Sequence, residues 1–173
     1  MEGRRPHRDD RARSRLLRTG TANGLPNVLV FEPLAKNQKA SWLANDSVPH
    51  SYTYTADAAR SLVTLAENES AWNQTWHVAT TPNPPTGEEF VAVAAKELGV
   101  ALRYHVLTKP MVRLIGWFNP LVGEVYEMLY QNDSACLFDS SKFERAFSFS
   151  GTPYAAGIRA TAASFQKAAP SAK

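Results

Sequence analysis

The sequence predicts a mixed α/β fold with few, short strands and about five helices. Three observations predict it. Runs rich in β-formers at 51–55, 74–79 and 101–107 alternate with segments whose apolar residues recur at three and four. Two Ser/Thr-x-x-Glu patterns mark helix starts. At 173 residues and 44% hydrophobic content, the chain has enough apolar surface for one domain with a core.

The elements follow in order. Gly20 to Asn27 reads as turn, and Val28-Leu29-Val30-Phe31 fits either a strand or a helix end. Lys36 to Ser51 is polar, with Asn45-Asp46-Ser47 and Val48-Pro49 as turn signals and Trp42 alone inside it. Ser51 to Thr55 predicts the first strand. Asp57 is placed to cap the next helix, in which Ala58, Leu62, Val63, Leu65 and Ala66 share the spacing. Gln74 to Ala79 predicts a second strand and Thr80 to Pro85 a loop. Thr86 and Glu89 form a capping box for a helix carrying Phe90, Val91, Ala94, Ala95 and Leu98, which Gly99 stops. Ala101 to Leu107 predicts the third strand.

Pro110 suits the first turn of a helix with Met111, Leu114, Ile115 and Phe118 on one face. Core packing is the expectation for that region, Trp117 included; the sharper alternative is an apolar surface that another part of a larger protein would cover. Pro120 opens a helix with Leu121, Val125, Met128 and Leu129. Leu137-Phe138 fits a short strand or an extended link. Ser141 to Glu144 reads as the second capping box, and Thr152-Pro153 starts a last helix through Ile158 toward Phe165. Residues 166–173 are expected to fray. No internal repeat is present.

Charge divides the chain. Residues 1–18 hold seven arginines against Glu2, Asp9 and Asp10, a net of +4; the other 155 residues hold 12 basic and 13 acidic side chains. The basic arm, 1–24, is expected to be disordered, because Leu16 and Leu17 are its only sizeable apolar residues. Nucleic-acid binding through it is the less favoured reading. The abrupt change after Gly24 suggests a frameshift or misplaced start in a longer gene. No apolar run approaches the 18 residues of a spanning helix. An arginine-rich start with no apolar stretch behind it is not a secretory signal. The single cysteine, Cys136, excludes an internal disulfide and a cysteine-built zinc site, and the cytoplasm is the expected compartment.

From about Asn27 to Ser164, order and spacing together resemble the C-terminal half of an NAD(P)-dependent epimerase/dehydratase. That family belongs to the extended or atypical short-chain dehydrogenase/reductases. The most specific stretch is His50-Ser51-Tyr52-Thr53-Tyr54-Thr55-Ala56-Asp57-Ala58-Ala59-Arg60, with Leu65-Ala66-Glu67-Asn68 ending its helix. Trp76-His77-Val78-Ala79, the helix from Thr86 to Leu98 and Phe138-Asp139-Ser140-Ser141-Lys142 resemble later segments. The resemblance implies the C-terminal, substrate-binding part (25–165) of a Rossmann-type enzyme whose N-terminal half binds NAD or NADP. It implies a small-molecule substrate such as a nucleotide sugar or another carbonyl compound.

The dinucleotide-binding half is not expected in this chain. Such binding needs a glycine-rich strand-to-helix turn, and Gly3, Gly20 and Gly24, the only glycines before Gly87, form none. The family pairs a catalytic Tyr with a Lys four residues on. Here Tyr52, Tyr54, Tyr104, Tyr126, Tyr130 and Tyr154 are followed at that spacing by Ala56, Ala58, Thr108, Tyr130, Ser134 and Ile158. No catalytic, cofactor-binding or metal-ligating residue is therefore assigned, and the chain alone is expected to be inactive. Trp42, His50 and Tyr52 are the candidate substrate-facing residues, with packing as the competing role for each. His50, His77 and His105 are too far apart in sequence for a metal motif, and Cys136 suits a small buried position. The alternative function is a non-catalytic interaction domain, self-association included, using apolar surface left uncovered.

Overall fold

A computed structural model describes residues 24–118 and 126–168. The basic arm up to residue 23, Pro120, Leu121, Val125 and the end of the tail lie outside the described residues. The architecture is α/β: helices around a two-stranded parallel sheet.

The chain enters through a wide helical turn, Asn27–Phe31, that continues into α1 (Glu32–Ala35). The apolar run at 28–31 is thus a helix end. Val30, Phe31 and Leu34 are buried while Val28 is exposed, the one-sided spacing of a helix rather than the alternation of a strand. Strand β1 (Ala40–Leu43) follows within the segment expected to be polar turn. It pairs in parallel with β2 (Tyr104–Leu107), placing Ala40 beside Tyr104 and Leu43 beside Leu107. Of the three expected strands, only the third forms.

The other two β-rich runs are extended without a ladder. Backbone at 50–51 makes a single bridge with Cys136, and Ser51 N–H donates to Cys136 O at 2.9 Å. At 79–80, Ala79 N–H donates to Ser61 Oγ and Thr80 N–H to Ser140 Oγ. Serine hydroxyls occupy the donors that a neighbouring strand would take.

Helix α2 (Thr55–Glu67) starts after Tyr54, which provides no side-chain cap. Asp57 is not the cap. It lies in the first turn, is 2% exposed, and accepts from Thr152 N–H at 2.6 Å while facing Arg60 at 3.4 Å. Helix α3 (Gly87–Leu98) has the expected reciprocal capping box, and Gly99 ends it at φ 72°. Helix α4 (Lys109–Phe118) follows β2 directly. Helix α5 (Ser141–Phe147) begins one residue earlier in cap terms than expected: Ser140 is the cap position, its hydroxyl donates to Glu144, and Asp139 Oδ1 receives Ser141 N–H. Ser141 itself is inside the helix, so its capping box does not form. Leu137-Phe138 is an extended link. Pro153 precedes α6 (Tyr154–Ala168).

The core lies where α1, α3 and α6 meet β1. Phe31 packs edge-on to Phe90 and stacks on Phe165, and Trp42 packs on Phe90. Ala94, Ala95 and Ala162 are buried between α3 and α6, where small side chains permit close approach. The expected core face of α4 is instead exposed. Val112 alone is buried there, while Trp117 is 86% and Phe118 85% exposed. Among the described residues no helix is long and apolar enough to cross a membrane.

Candidate functional site

The resolved surface has a cleft divided by Tyr52 and Pro26, which line both of its compartments. The larger, about 270 Å³, runs between the extended segment 52–54 with the first residue of α2, Thr55, and the start of α6. Its floor is aromatic, with Phe31 and Phe90, and its rim is hydroxylated by Thr55, Thr152 and Tyr154. The smaller, about 160 Å³, is apolar, with Leu29, Val30, Trp42 and Leu43 in its wall.

Local structure explains the positions. Segment 52–54 stays extended until α2 begins at Thr55, so Tyr52 and Tyr54 are held by packing rather than by a ladder. Tyr52 packs on Phe90 with ring centroids 5.2 Å apart. Tyr54 lies over Gly157 of α6, where an added Cβ would meet its ring at 3.5 Å. The Thr53 and Thr80 hydroxyls share a hydrogen bond of 2.9 Å. Tyr154 donates to Thr81 O at 2.9 Å and so ties α6 to the 80–85 loop.

Burial pushes the Tyr52 hydroxyl up to about 12, with smaller contributions from Cys136 and Tyr154. Burial also raises Tyr154, against opposing hydrogen bonds from the Tyr52 backbone and the Ser51 side chain. Outside the cleft, Tyr104 is pushed to about 12 by burial and by its 2.8 Å hydrogen bond to Asp46. Tyr52 and Tyr154 are therefore neutral hydroxyls at physiological pH.

Of the three candidate residues, Trp42 and Tyr52 meet at the smaller compartment. His50 lies elsewhere: it is buried, with Nδ1 3.2 Å from Val48 O and Nε2 3.1 Å from Gln131 O. Its ring staples two loops and lines neither compartment. His77 and His105 are held separately, by Asp139 O and Ser41 Oγ, and no cluster of three metal-ligating side chains occurs among the described residues. Cys136 is exposed, because it sits on a surface segment pairing only through its backbone with Pro49 and Ser51.

Sequence reasoning missed Thr55, Thr152 and Tyr154. The Tyr-Thr-Tyr-Thr repeat at 52–55 was a usable signal, since hydroxyls on an unpaired segment remain available to a ligand. The α6 contributions had no local signal; they come to the cleft because Asp57 holds Thr152 against α2.

The described residues contain no glycine-rich turn between a strand and a helix. The direct strand-to-helix turn, β2 to α4 through Thr108, has no glycine. Gly87 does open α3, but Trp42 fills the space above it, with indole atoms 2.3–2.8 Å from where a Cβ would stand.

Comparison with known proteins returns no matching family model, no matching curated protein and no matching solved structure.

Proposed function

We propose that this chain is the substrate-binding part of an NAD(P)-dependent epimerase/dehydratase-like oxidoreductase, inactive by itself. The supporting observation is the cleft: Tyr52 and Trp42, singled out by the resemblance, share one concave site with an aromatic floor and a hydroxyl rim. Its residues bind and orient; none is assigned a proton-transfer role. The cofactor belongs to the whole enzyme of this reading, not to these residues. The test is a titration of the purified chain with NADH and NADPH, followed by nicotinamide fluorescence. A flat titration is expected, and saturable binding of either cofactor overturns the reading.

A second reading has its own observation. The α4 face presents Leu114, Ile115, Trp117 and Phe118 to solvent, a surface suited to protein contact in a non-catalytic interaction domain. Sedimentation over a range of concentrations separates the two. Association abolished by Trp117→Ser, with Tyr52 variants inert in every binding assay, would move this reading to first place.

A further inference from the structure

Three consecutive residues of β1, Ser41, Trp42 and Leu43, line the smaller compartment, and no residue of β2 does. Side chains of a strand alternate between its two faces, so consecutive residues border one space along the strand's edge. The edge concerned is the one away from β2. We propose that this edge is a site of β-strand addition: an extended apolar segment of another polypeptide joins β1 as a third strand, its main chain paired with Ser41 and Leu43. The proposal goes beyond the oxidoreductase reading and leaves the larger compartment to a substrate.

The phase of the ladder decides which groups are open. Ala40 N–H donates to Arg103 O at 2.9 Å and Ala44 N–H to Leu107 O at 3.0 Å. With Ala40 beside Tyr104 and Trp42 beside Val106, a parallel ladder spends the main chain of Ala40 and Trp42 on β2. The main chain of Ser41 and Leu43 points the other way. Leu43 O accepts from Asn45 N–H at 2.8 Å. Ser41 N–H, Ser41 O and Leu43 N–H take no hydrogen bond among the described residues. A small carbonyl compound can engage one of these three groups. An extended main chain, repeating its donor and acceptor at every second residue, engages all of them.

The surroundings specify the side chains of the added strand. On one face of the edge, Val30 and Tyr52 pack in the cluster that holds Trp42. On the other, Leu29 packs against the cluster that holds Leu43. Both faces are apolar, so successive residues of the added strand, which alternate between them, are apolar as well. The edge also lacks the usual protection against pairing: β1 reads Ala-Ser-Trp-Leu, with no charge and no proline.

The test uses the full chain and a capped peptide, acetyl-Thr-Val-Leu-Val-Thr-amide, with versions N-methylated singly at each of the three central residues. Calorimetry is expected to show saturable binding of the parent peptide. N-methylation removes one main-chain donor, so alternate positions are expected to lose about tenfold and the others little. Amide exchange read residue by residue is expected to slow at Ser41 and Leu43 on binding and to stay unchanged at Trp42. Ser41→Pro deletes one open donor while sparing the β2 ladder and is expected to weaken binding about tenfold. Circular dichroism checks that this variant folds, and the N-methyl series stands without it. No binding overturns the proposal. Equal tolerance of all three N-methyl groups also overturns it, because the peptide then only fills apolar space. Ser41 and Leu43 amides as protected as Trp42 in the free chain mean that the edge is already paired and overturn it too. Protection that grows with protein concentration, without peptide, gives the edge to a second copy of the chain and overturns it as well.

Discussion

Gly87→Ala sets two physical effects against each other. Helix propensity favours alanine over glycine by up to about 1 kcal/mol, less in a first turn. The structure opposes it: the new Cβ would stand 2.3 Å from Trp42 Cε2 and 2.4 Å from Nε1. Ordinary carbon contacts lie at roughly 3.5–4.0 Å, so the indole has to move by more than 1 Å, about the thickness that a core cannot absorb. Trp42 has little room to move. It is 7% exposed, packs on Phe90, and donates from Nε1 to Asn45 O at 3.2 Å. Overpacking costs about 1–3 kcal/mol and the hydrogen bond about 1 kcal/mol, so a net destabilisation of about 2 kcal/mol is expected. In a chain of this length that lowers Tm by about 4–8 °C. Urea unfolding followed by tryptophan fluorescence and circular dichroism measures it. A double-mutant cycle isolates the cause: in a Trp42→Leu background, Gly87→Ala should become neutral or stabilising. A single Gly87→Ala variant as stable as the parent would refute the packing argument.

Three further expectations are directly measurable. Thr86→Ala removes one half of the α3 capping box, whose bonds are 2.9 and 3.2 Å, and should cost about 1 kcal/mol in urea unfolding. Asp57→Ala removes a buried charge-assisted bond to Thr152 N–H and should cost about 2–3 kcal/mol, with faster amide exchange at Thr152 as its local signature. Tyr52, pushed up to about 12 in the folded chain, holds its proton longer than an unfolded tyrosine near 10. Its contribution is whole below pH of about 10 and is lost as pH rises toward 12, so stability should fall across that window, less steeply in Tyr52→Phe.

What the sequence made legible follows from the range of the interactions involved. The α3 capping box and its glycine stop are set by residues within four positions of each other, and both form as expected. The start of α6 after Pro153 is local in the same sense. Strands are different, because a strand exists only where a distant partner supplies its ladder. Ser51 to Thr55 has the composition of a strand but finds only a single bridge partner, at Cys136, and no ladder. Ala40–Leu43 lies in a polar stretch, yet it pairs because β2 arrives beside it from about 60 residues away. Asp57 failed as a cap for a related reason: its carboxylate is claimed by Thr152, 95 positions on.

The site was half legible on the same grounds. Aromatic residues in the resembling stretch pointed to Trp42 and Tyr52, and both reach the cleft. His50 belongs to that stretch too, but its ring is claimed by the carbonyls of Val48 and Gln131, the second 81 positions away. That no charged side chain lines the cleft among the described residues is a property of the assembled surface that no window of sequence displays. Glu32, Asp57 and Arg60 all lie within a few positions of lining residues, and the sequence alone would allow any of them to face a ligand. Folding removes each by a separate contact: Glu32 pairs with Lys36 on the outside of α1, while Asp57 and Arg60 pair with each other beside Phe149.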